Sequence, residues 1–164
     1  MNCKKPNKPF KNFNWKFTFF CAVFLFFSGI DSAIGEGKIV AITHEKNSVS
    51  SLKVSDLQKM YRGNKLQWDN GEVIKLILPP SNCEEMEFVI KKIFKFKSQV
   101  QIAKYYVQAV RENKWLIFPE TTRGTTESIL KVAQNTGAIA LINLHAIEDY
   151  NDIKLITVVP IEGL

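Results

Sequence analysis

Residues 73–94 read VIKLILPPSNCEEMEFVIKKIF, and within them an apolar segment runs into a helix start. Residues 73–78 are mostly apolar and rich in β-branched side chains, which is typical of a buried strand. The double proline ends that strand, and Ser81 then stands three residues before Glu84, which is the spacing of a capping box. The stretch therefore predicts a strand that feeds a capped helix running from Ser81 to about Phe96.

The junction between this strand and this helix has two interpretations. Such a turn can hold an anion in α/β proteins, because free backbone amides and the helix dipole both point at it. Hydroxyl groups at a helix start are equally the mark of an ordinary cap on a core helix. Glu84, Glu85 and Glu87 favour the ordinary cap, since they occupy the positive end of the helix and would repel a phosphate.

The length and charge of the chain describe an ordinary domain with a basic leader. A chain of 164 residues can build one hydrophobic core but is short for two domains. Residues 1–35 contain five lysines against Asp31 alone, and so they carry +4 of the net charge of +6. Residues 36–164 then carry +2, a mixed surface that gives no reason to expect a nucleic-acid partner.

The leader has the layout of a secretory signal peptide. Lysines precede an apolar run in residues 17–27, and small residues follow at Ala33 and Gly35, after which cleavage is expected. The run is shorter than the roughly 20 residues that span a bilayer, and an uncleaved N-terminal anchor is the alternative. We therefore expect a signal peptide in residues 1–35, one exported, periplasmic domain in residues 36–164, and membrane contact only through an uncleaved leader.

Beyond the leader, strand and helix patterns alternate. Strands are predicted at residues 38–43, 73–78, 138–144 and 153–159, and helices at residues 55–63, 81–96, 98–113 and 126–134. Ser55 and Ser98 open two of these helices with the same capping-box spacing. The order predicts one α/β domain with a predominantly parallel or mixed sheet flanked by helices.

Metal and catalytic chemistry lack a recognisable constellation in the sequence. His44 and His145 are isolated, and Cys83 is the single cysteine after the leader, so we expect no metal site, no cofactor and no intrachain disulfide there. We interpret Cys83 as a packing residue. No nucleophile elbow and no glycine-rich nucleotide loop occurs, so we expect no catalytic residues and place a hydrolase third among the function classes.

Anion binding is the chemistry that remains. Two helix starts carry the hydroxyl groups that can donate to an oxyanion, one at Ser81 and Asn82 and the other within residues 122–126. Arg123 in the second start can add a charge-assisted hydrogen bond.

Several short motifs follow one another in a characteristic order between residues 38 and 145. Residues 47–49 read NSV, residues 57–65 read LQKMYRGNK and precede Trp68 and an Asp-Asn-Gly turn, and residues 136–140 read TGAIA. The helix start at Ser81 and the pair Tyr105-Tyr106 lie between them. In this order the motifs resemble the PstS-like phosphate-binding proteins of ABC transporters, a group of type 2 periplasmic binding proteins, and above all their small single-domain relatives.

The resemblance implies a single lobe of that fold, binding phosphate or a similar small oxyanion for an ABC permease or another envelope protein. Relatives hold phosphate with a Ser-Gly-Thr turn at a helix start, which falls by position on Ser81, Asn82 and Cys83, with only the serine matching. The predicted ligand-binding set adds four residues from elsewhere in the chain, namely Thr43, Arg123, Thr125 and Thr126.

A second function class is an accessory or protein-interaction module of the cell envelope that kept the lobe and lost the ligand. It predicts an exposed apolar or aromatic patch near residues 115–118, and a partner that binds independently of phosphate.

Overall fold

A computed structural model of the chain describes residues 38–148 and 155–163. The elements in chain order are β1 (Ile39–His44), β2 (Leu52–Lys53), α1 (Val54–Tyr61), β3 (Lys75–Leu78), α2 (Glu84–Phe88), a π-helical segment (Val89–Phe94), α3 (Gln99–Arg111), β4 (Glu120–Thr121), α4 (Thr125–Ala133), β5 (Ala138–Asn143), α5 (His145–Glu148), β6 (Ile156–Val159) and β7 (Ile161–Glu162). The predicted signal peptide and the first residues of the predicted last strand lie outside the described residues.

Five strands form a mixed central sheet in the order β4-β3-β5-β1-β6. Strand β3 pairs in parallel with β4 and β5, whereas β1 is antiparallel to β5 and to β6. Four of the five strands therefore point one way, and the predicted α/β fold with a predominantly parallel or mixed sheet is confirmed. The short strands β2 and β7 pair in parallel as a separate ribbon. Neither they nor β4 were among the predicted strands.

Helices cover both faces of the central sheet. All six residues of β1 are buried, as expected for a strand with helices on each side. On one face, Ala41 and Leu141 share a cluster with α1, the π-helical segment and α3. On the other face, Ile42 and Ala140 pack against α4. The apolar runs of the sequence thus form two layers of core around one sheet.

The predicted capping box at Ser81 is wrong. Helix α2 begins at Glu84, and its N-cap is Cys83, whose Sγ accepts a hydrogen bond from the Met86 amide at 3.4 Å. Asn82 adopts a left-handed conformation, with φ of 62°, and this turn leaves Ser81 outside the helix. The sequence has the spacing of a capping box at Ser81, but the left-handed turn at Asn82 makes Cys83 the N-cap instead.

The other two predicted caps also differ. Helix α1 begins at Val54, so Ser55 lies inside its first turn instead of capping it. Ser98 is the N-cap of α3, but its side chain makes no capping bond. The Gln101 side chain instead accepts from the Lys97 amide at 2.6 Å, which ties the chain back onto the first turn.

The predicted helix over residues 81–96 is shorter and irregular. Its α-helical part ends at Phe88, and the chain continues as a π-helical segment that Lys95 closes in a left-handed conformation, with φ of 58°. Arg62 from the end of α1 donates to the carbonyl groups of Ile93 and Phe94 at 3.1 and 3.0 Å. This side chain satisfies acceptors at the helix end that no intrahelical amide reaches.

Gly137 lies where the chain enters β5 and approaches the residues before β3 very closely. A Cβ on Gly137 would lie 2.2 Å from the Val73 carbonyl oxygen, which is backbone and cannot rotate away. The Gly137 carbonyl accepts from the Lys75 amide and from Trp68 Nε1, both at 3.0 Å. Only glycine fits this contact.

Gly137→Ala should therefore lower the free energy of unfolding by about 3 kcal/mol or more, because the added methyl group forces the two segments apart. Gly124→Ala is the matched control: no atom lies within 4 Å of its added Cβ and its φ of −177° suits any residue, so it should cost less than about 1 kcal/mol. Urea denaturation measures both. Equal losses in the two variants would contradict the close-contact explanation.

Candidate functional site

The carboxyl ends of β3, β4 and β5 meet at one edge of the sheet, because these strands are adjacent and parallel. We call the residues that follow them here, 79–83, 122–126 and Asn143, the carboxyl edge. Thr122 joins the first two segments: its amide and its hydroxyl both donate to the Leu78 carbonyl oxygen, at 3.3 and 3.2 Å. Both predicted helix starts therefore lie at the same edge, as ligand sites of α/β sheets commonly do.

The turn of Ser81, Asn82 and Cys83 has a left-handed conformation that its sequence does not predict. Asn82 stands where the family resemblance expects glycine, and its left-handed φ is one that asparagine tolerates better than most residues. Gln99 Nε2 donates to the exposed Ser81 Oγ at 2.9 Å. Because that bond uses Ser81 as an acceptor, the serine can donate its own proton outward.

Acidic side chains at the start of α2 bond to the end of β5. Glu85 is 8% exposed, and its Oε1 accepts from the Asn143 amide at 2.9 Å. The exposed Glu84 accepts from Asn143 Nδ2 at 3.1 Å. These glutamates hold α2 on the sheet while placing negative charge beside the Ser81 turn. Sequence reasoning missed Asn143, although a polar residue at the end of an apolar strand was the available signal.

The start of α4 carries the other predicted ligand residues of this edge. Gly124 is its N-cap and provides no side-chain cap, and the side chain of Arg123 is exposed. The Arg123 amide donates to Glu127 Oε2 at 2.9 Å, so this helix start also has a carboxylate near it. Thr125 is half-buried and Thr126 is exposed. The structure therefore brings Arg123, Thr125 and Thr126 to the carboxyl edge, where the Ser81 turn also lies.

Thr43 does not share this edge. It is fully buried in β1 and pairs in register with Ile139 at the amino end of β5, four residues from Asn143. That spacing corresponds to about 13 Å along the strand. Its hydroxyl has no hydrogen-bond partner within the described residues. Of the seven predicted ligand residues, Thr43 is the one that the structure separates from the others.

A concavity lies at the opposite edge, in the loop after β1. Its volume is about 290 Å³, and its walls include Asn47, Trp68, Asp56, Asp69 and Lys65. Lys65 donates to Asp69 at 2.9 Å, and this ammonium lowers the pKa of Asp69. With two carboxylates against one lysine, this cavity does not favour an anion. Sequence reasoning predicted no site here.

The Cys83 thiol is held in its protonated form. Burial raises the pKa of Cys83 to about 11, and the neighbouring Glu85 carboxylate adds to the effect. Its Sγ donates to the Pro80 carbonyl oxygen at 3.0 Å and accepts from the Met86 amide. The side chain therefore shapes the turn and is not a nucleophile at neutral pH.

The part of the chain that the structure describes contains neither a metal-ligand cluster nor a membrane-spanning helix. No group of three histidine, cysteine, aspartate or glutamate side chains there is placed to hold a metal ion. No helix within residues 38–148 and 155–163 combines the length and apolar character needed to cross a membrane.

Comparison with solved structures identifies the architecture. A protein from Clostridium perfringens, described as a phosphate ABC transporter substrate-binding protein and solved with bound phosphate, matches 77% of this chain with a TM-score of 0.55 and 18% identity. PstS from Borrelia burgdorferi matches with 0.56 and 15%, and an ABC-type phosphate transport receptor from Vibrio cholerae with 0.55 and 10%, each again over 77% of this chain. The chain has the fold of one part of these phosphate-binding proteins.

The match covers 46–47% of these three structures, so this chain spans just under half of their length. No protein-family model matches the chain, and no curated protein matches it in sequence. At such identities the likeness establishes the fold alone. What the carboxyl edge binds has to be argued from its own residues.

The raised pKa of Cys83 makes its alkylation slow and strongly dependent on pH. In a chain with Cys3→Ser and Cys21→Ser, iodoacetamide should modify folded Cys83 at pH 8 at least about tenfold more slowly than the same chain in urea, since few thiolates are present. The folded rate should keep rising until the pH approaches 11. Mass spectrometry follows the reaction, and a folded rate that levels off by pH 9 would show that the thiol is not protected.

Proposed function

We propose that this protein is an exported, non-enzymatic solute-binding domain whose ligand is phosphate or a similar small oxyanion at the Ser81 turn. The single observation that carries the proposal is the conformation of this turn. Asn82 takes the left-handed φ that glycine takes freely, and Ser81 is exposed with its proton available to donate. A periplasmic location and an ABC permease as partner belong to the same proposal.

Backbone amides supply the remaining donors. The turn leads directly into α2, whose first amides point toward the N-terminus of the helix, where the dipole favours negative charge. Across the carboxyl edge, α4 begins beside the end of β3, because Thr122 is bonded to Leu78. Arg123 and the hydroxyl groups of Thr125 and Thr126 extend the surface that an oxyanion would meet.

The glutamates set the expected strength of binding. Glu84 and Glu87 are exposed in the first turn of α2, so their charges oppose an anion at the Ser81 turn. We therefore expect a dissociation constant on the order of 1 mM for inorganic phosphate.

Titration with inorganic phosphate tests the proposal by NMR, with the amide resonances of residues 81–85 as the readout. Ser81→Ala should weaken binding about tenfold, because it removes one hydrogen bond to a charged group. Glu84→Gln should strengthen it several-fold, since the amide can still contact Asn143 while the repulsive charge is gone.

Ser48→Ala is the matched control, an exposed serine beside the cavity at the opposite edge, and it should leave phosphate binding unchanged. Sodium chloride of equal ionic strength separates binding from a general salt effect. If the amides near Ser81 do not move in the parent or in Glu84→Gln at tens of millimolar phosphate, the oxyanion proposal is wrong.

A second candidate is an envelope accessory module that kept the fold without the ligand. The observation that favours it is the acidic start of α2, where Glu85 is buried and bonded to Asn143 instead of leaving the site to an anion. This candidate predicted an exposed apolar patch near residues 115–118, and Leu116 and Phe118 are indeed exposed there. It expects an envelope partner that binds equally with and without phosphate.

A further inference from the structure

We propose that one face of helix α3 is a docking surface for an anionic lipid membrane. The residues of this face recur every three or four positions, so they form one stripe along the helix. All of them are exposed, and we define the α3 face as Val100, Ala103, Lys104, Val107, Val110 and Arg111.

The helix already uses a different face for the core. Ile102, Tyr106 and Ala109 are the buried residues of α3, and they pack beneath it. The apolar residues of the α3 face are therefore not explained by packing. Exposed large apolar side chains concentrate in this region: of eight among the described residues, five fall here, namely Val100, Val107, Val110, Leu116 and Phe118.

The segment that follows α3 also exposes apolar side chains. Phe118 is 51% exposed, and its ring lies 5.8 Å from the ring of Tyr106, one turn from Ala103 and Val110 on the helix. Leu116, 61% exposed, lies two residues before it. Isolated exposed apolar residues are normal on soluble proteins, but a grouping of this kind marks an interaction surface.

The charge of the same segment identifies the partner. Residues 91–114 contain seven basic residues and one acidic residue, a net charge of +6, whereas residues 36–90 and 115–164 together contain ten basic and fourteen acidic residues. Lys104 and Arg111 stand among the apolar residues of the α3 face, and no carboxylate whose side chain the structure describes pairs with either. Positive charge is thus concentrated in the segment of the chain that contains the α3 face.

An anionic bilayer surface fits both properties together. Apolar side chains on a basic amphipathic helix enter the interface, while lysine and arginine lie near the lipid phosphates. Lysine is depleted at the centre of protein–protein interfaces, and six of the seven basic residues here are lysines. Nucleic acid would use the positive charge but leave the valines without a role. The observations therefore favour a lipid surface.

Vesicle co-sedimentation tests the proposal with residues 36–164, which form a compact unit with its own core and omit the apolar leader. Vesicles of phosphatidylcholine with phosphatidylglycerol should bind at least about tenfold more protein than phosphatidylcholine alone. Lys104→Glu with Arg111→Glu should lower the partition coefficient at least about tenfold. Val107→Ser with Leu116→Ser should lower it several-fold, and this loss should persist in high salt.

The charge-matched control is Lys38→Glu with Lys53→Glu, two exposed lysines outside the basic segment, and it should leave the partition coefficient within about twofold of the parent. Ser81→Ala should also bind vesicles like the parent, so this result does not depend on the phosphate proposal. Circular dichroism confirms that each variant is folded. Equal loss in the two charge-reversal pairs, equal binding to neutral vesicles, or capture of an acidic protein without vesicle binding would overturn the proposal.

Discussion

The close contact between Gly137 and Val73 fixes the relation between β3 and β5, and the position of the carboxyl edge follows from it. The Gly137 carbonyl oxygen accepts hydrogen bonds from the Lys75 amide and from the Trp68 indole. This one oxygen therefore links the start of β3, the start of β5 and the turn of residues 68–72. With this start set, the parallel pairing of Leu76 with Ile139 and Ile77 with Ala140 follows. Because a one-residue slip would exchange the two faces of the strand, the contact protects both core layers.

The same register decides where the strands end. Strand β3 ends at Leu78, two residues short of the end of β5 in this register, and Glu85 in the helix after the turn accepts from the Asn143 amide. That bond stabilises the fold with a carboxylate that would oppose an anion at the Ser81 turn. Fold stability and the proposed binding therefore make opposite demands on the first turn of α2, and the buried, hydrogen-bonded Glu85 meets the demand of stability.

The sequence was sufficient for the main elements because their signals are local. Apolar periodicity located α3, α4 and the buried strands β1, β3 and β5, and the turn of residues 69–71 was identified from its Asp-Asn-Gly sequence. The two-residue strands β2, β4 and β7 could not be predicted, since each exists only through a partner distant in sequence. The cap at Cys83 was missed because the Ser81 spacing was present, while the left-handed Asn82 was not foreseeable.

The position of a candidate site residue could be predicted from the sequence only where the strand before it runs parallel to its neighbours in the sheet. The Ser81 turn and the Thr125 helix start both follow parallel strands, and so they reach the same edge. Thr43 also ends a strand, but β1 runs antiparallel to β5, which places the end of β1 at the other edge. A predominantly parallel sheet was expected, and the single reversed strand is the exception that removed Thr43 from the set.

Helix stability explains the charged residues at the ends of the helices, but it does not explain Lys104 in the middle of α3. Glu84, Glu85 and Glu87 begin α2, and lysines follow at the end of the π-helical segment, an arrangement that the helix dipole favours at both termini. Arg111 near the end of α3 fits the same rule. Lys104 does not, because it lies in the middle of α3, between exposed valines on a face that nothing in the described fold covers. A solvated lysine on its own would be normal at this position. The flanking valines are not stabilised by contact with water, however, so the stripe as a whole is better explained by an interaction with a partner than by the stability of the fold.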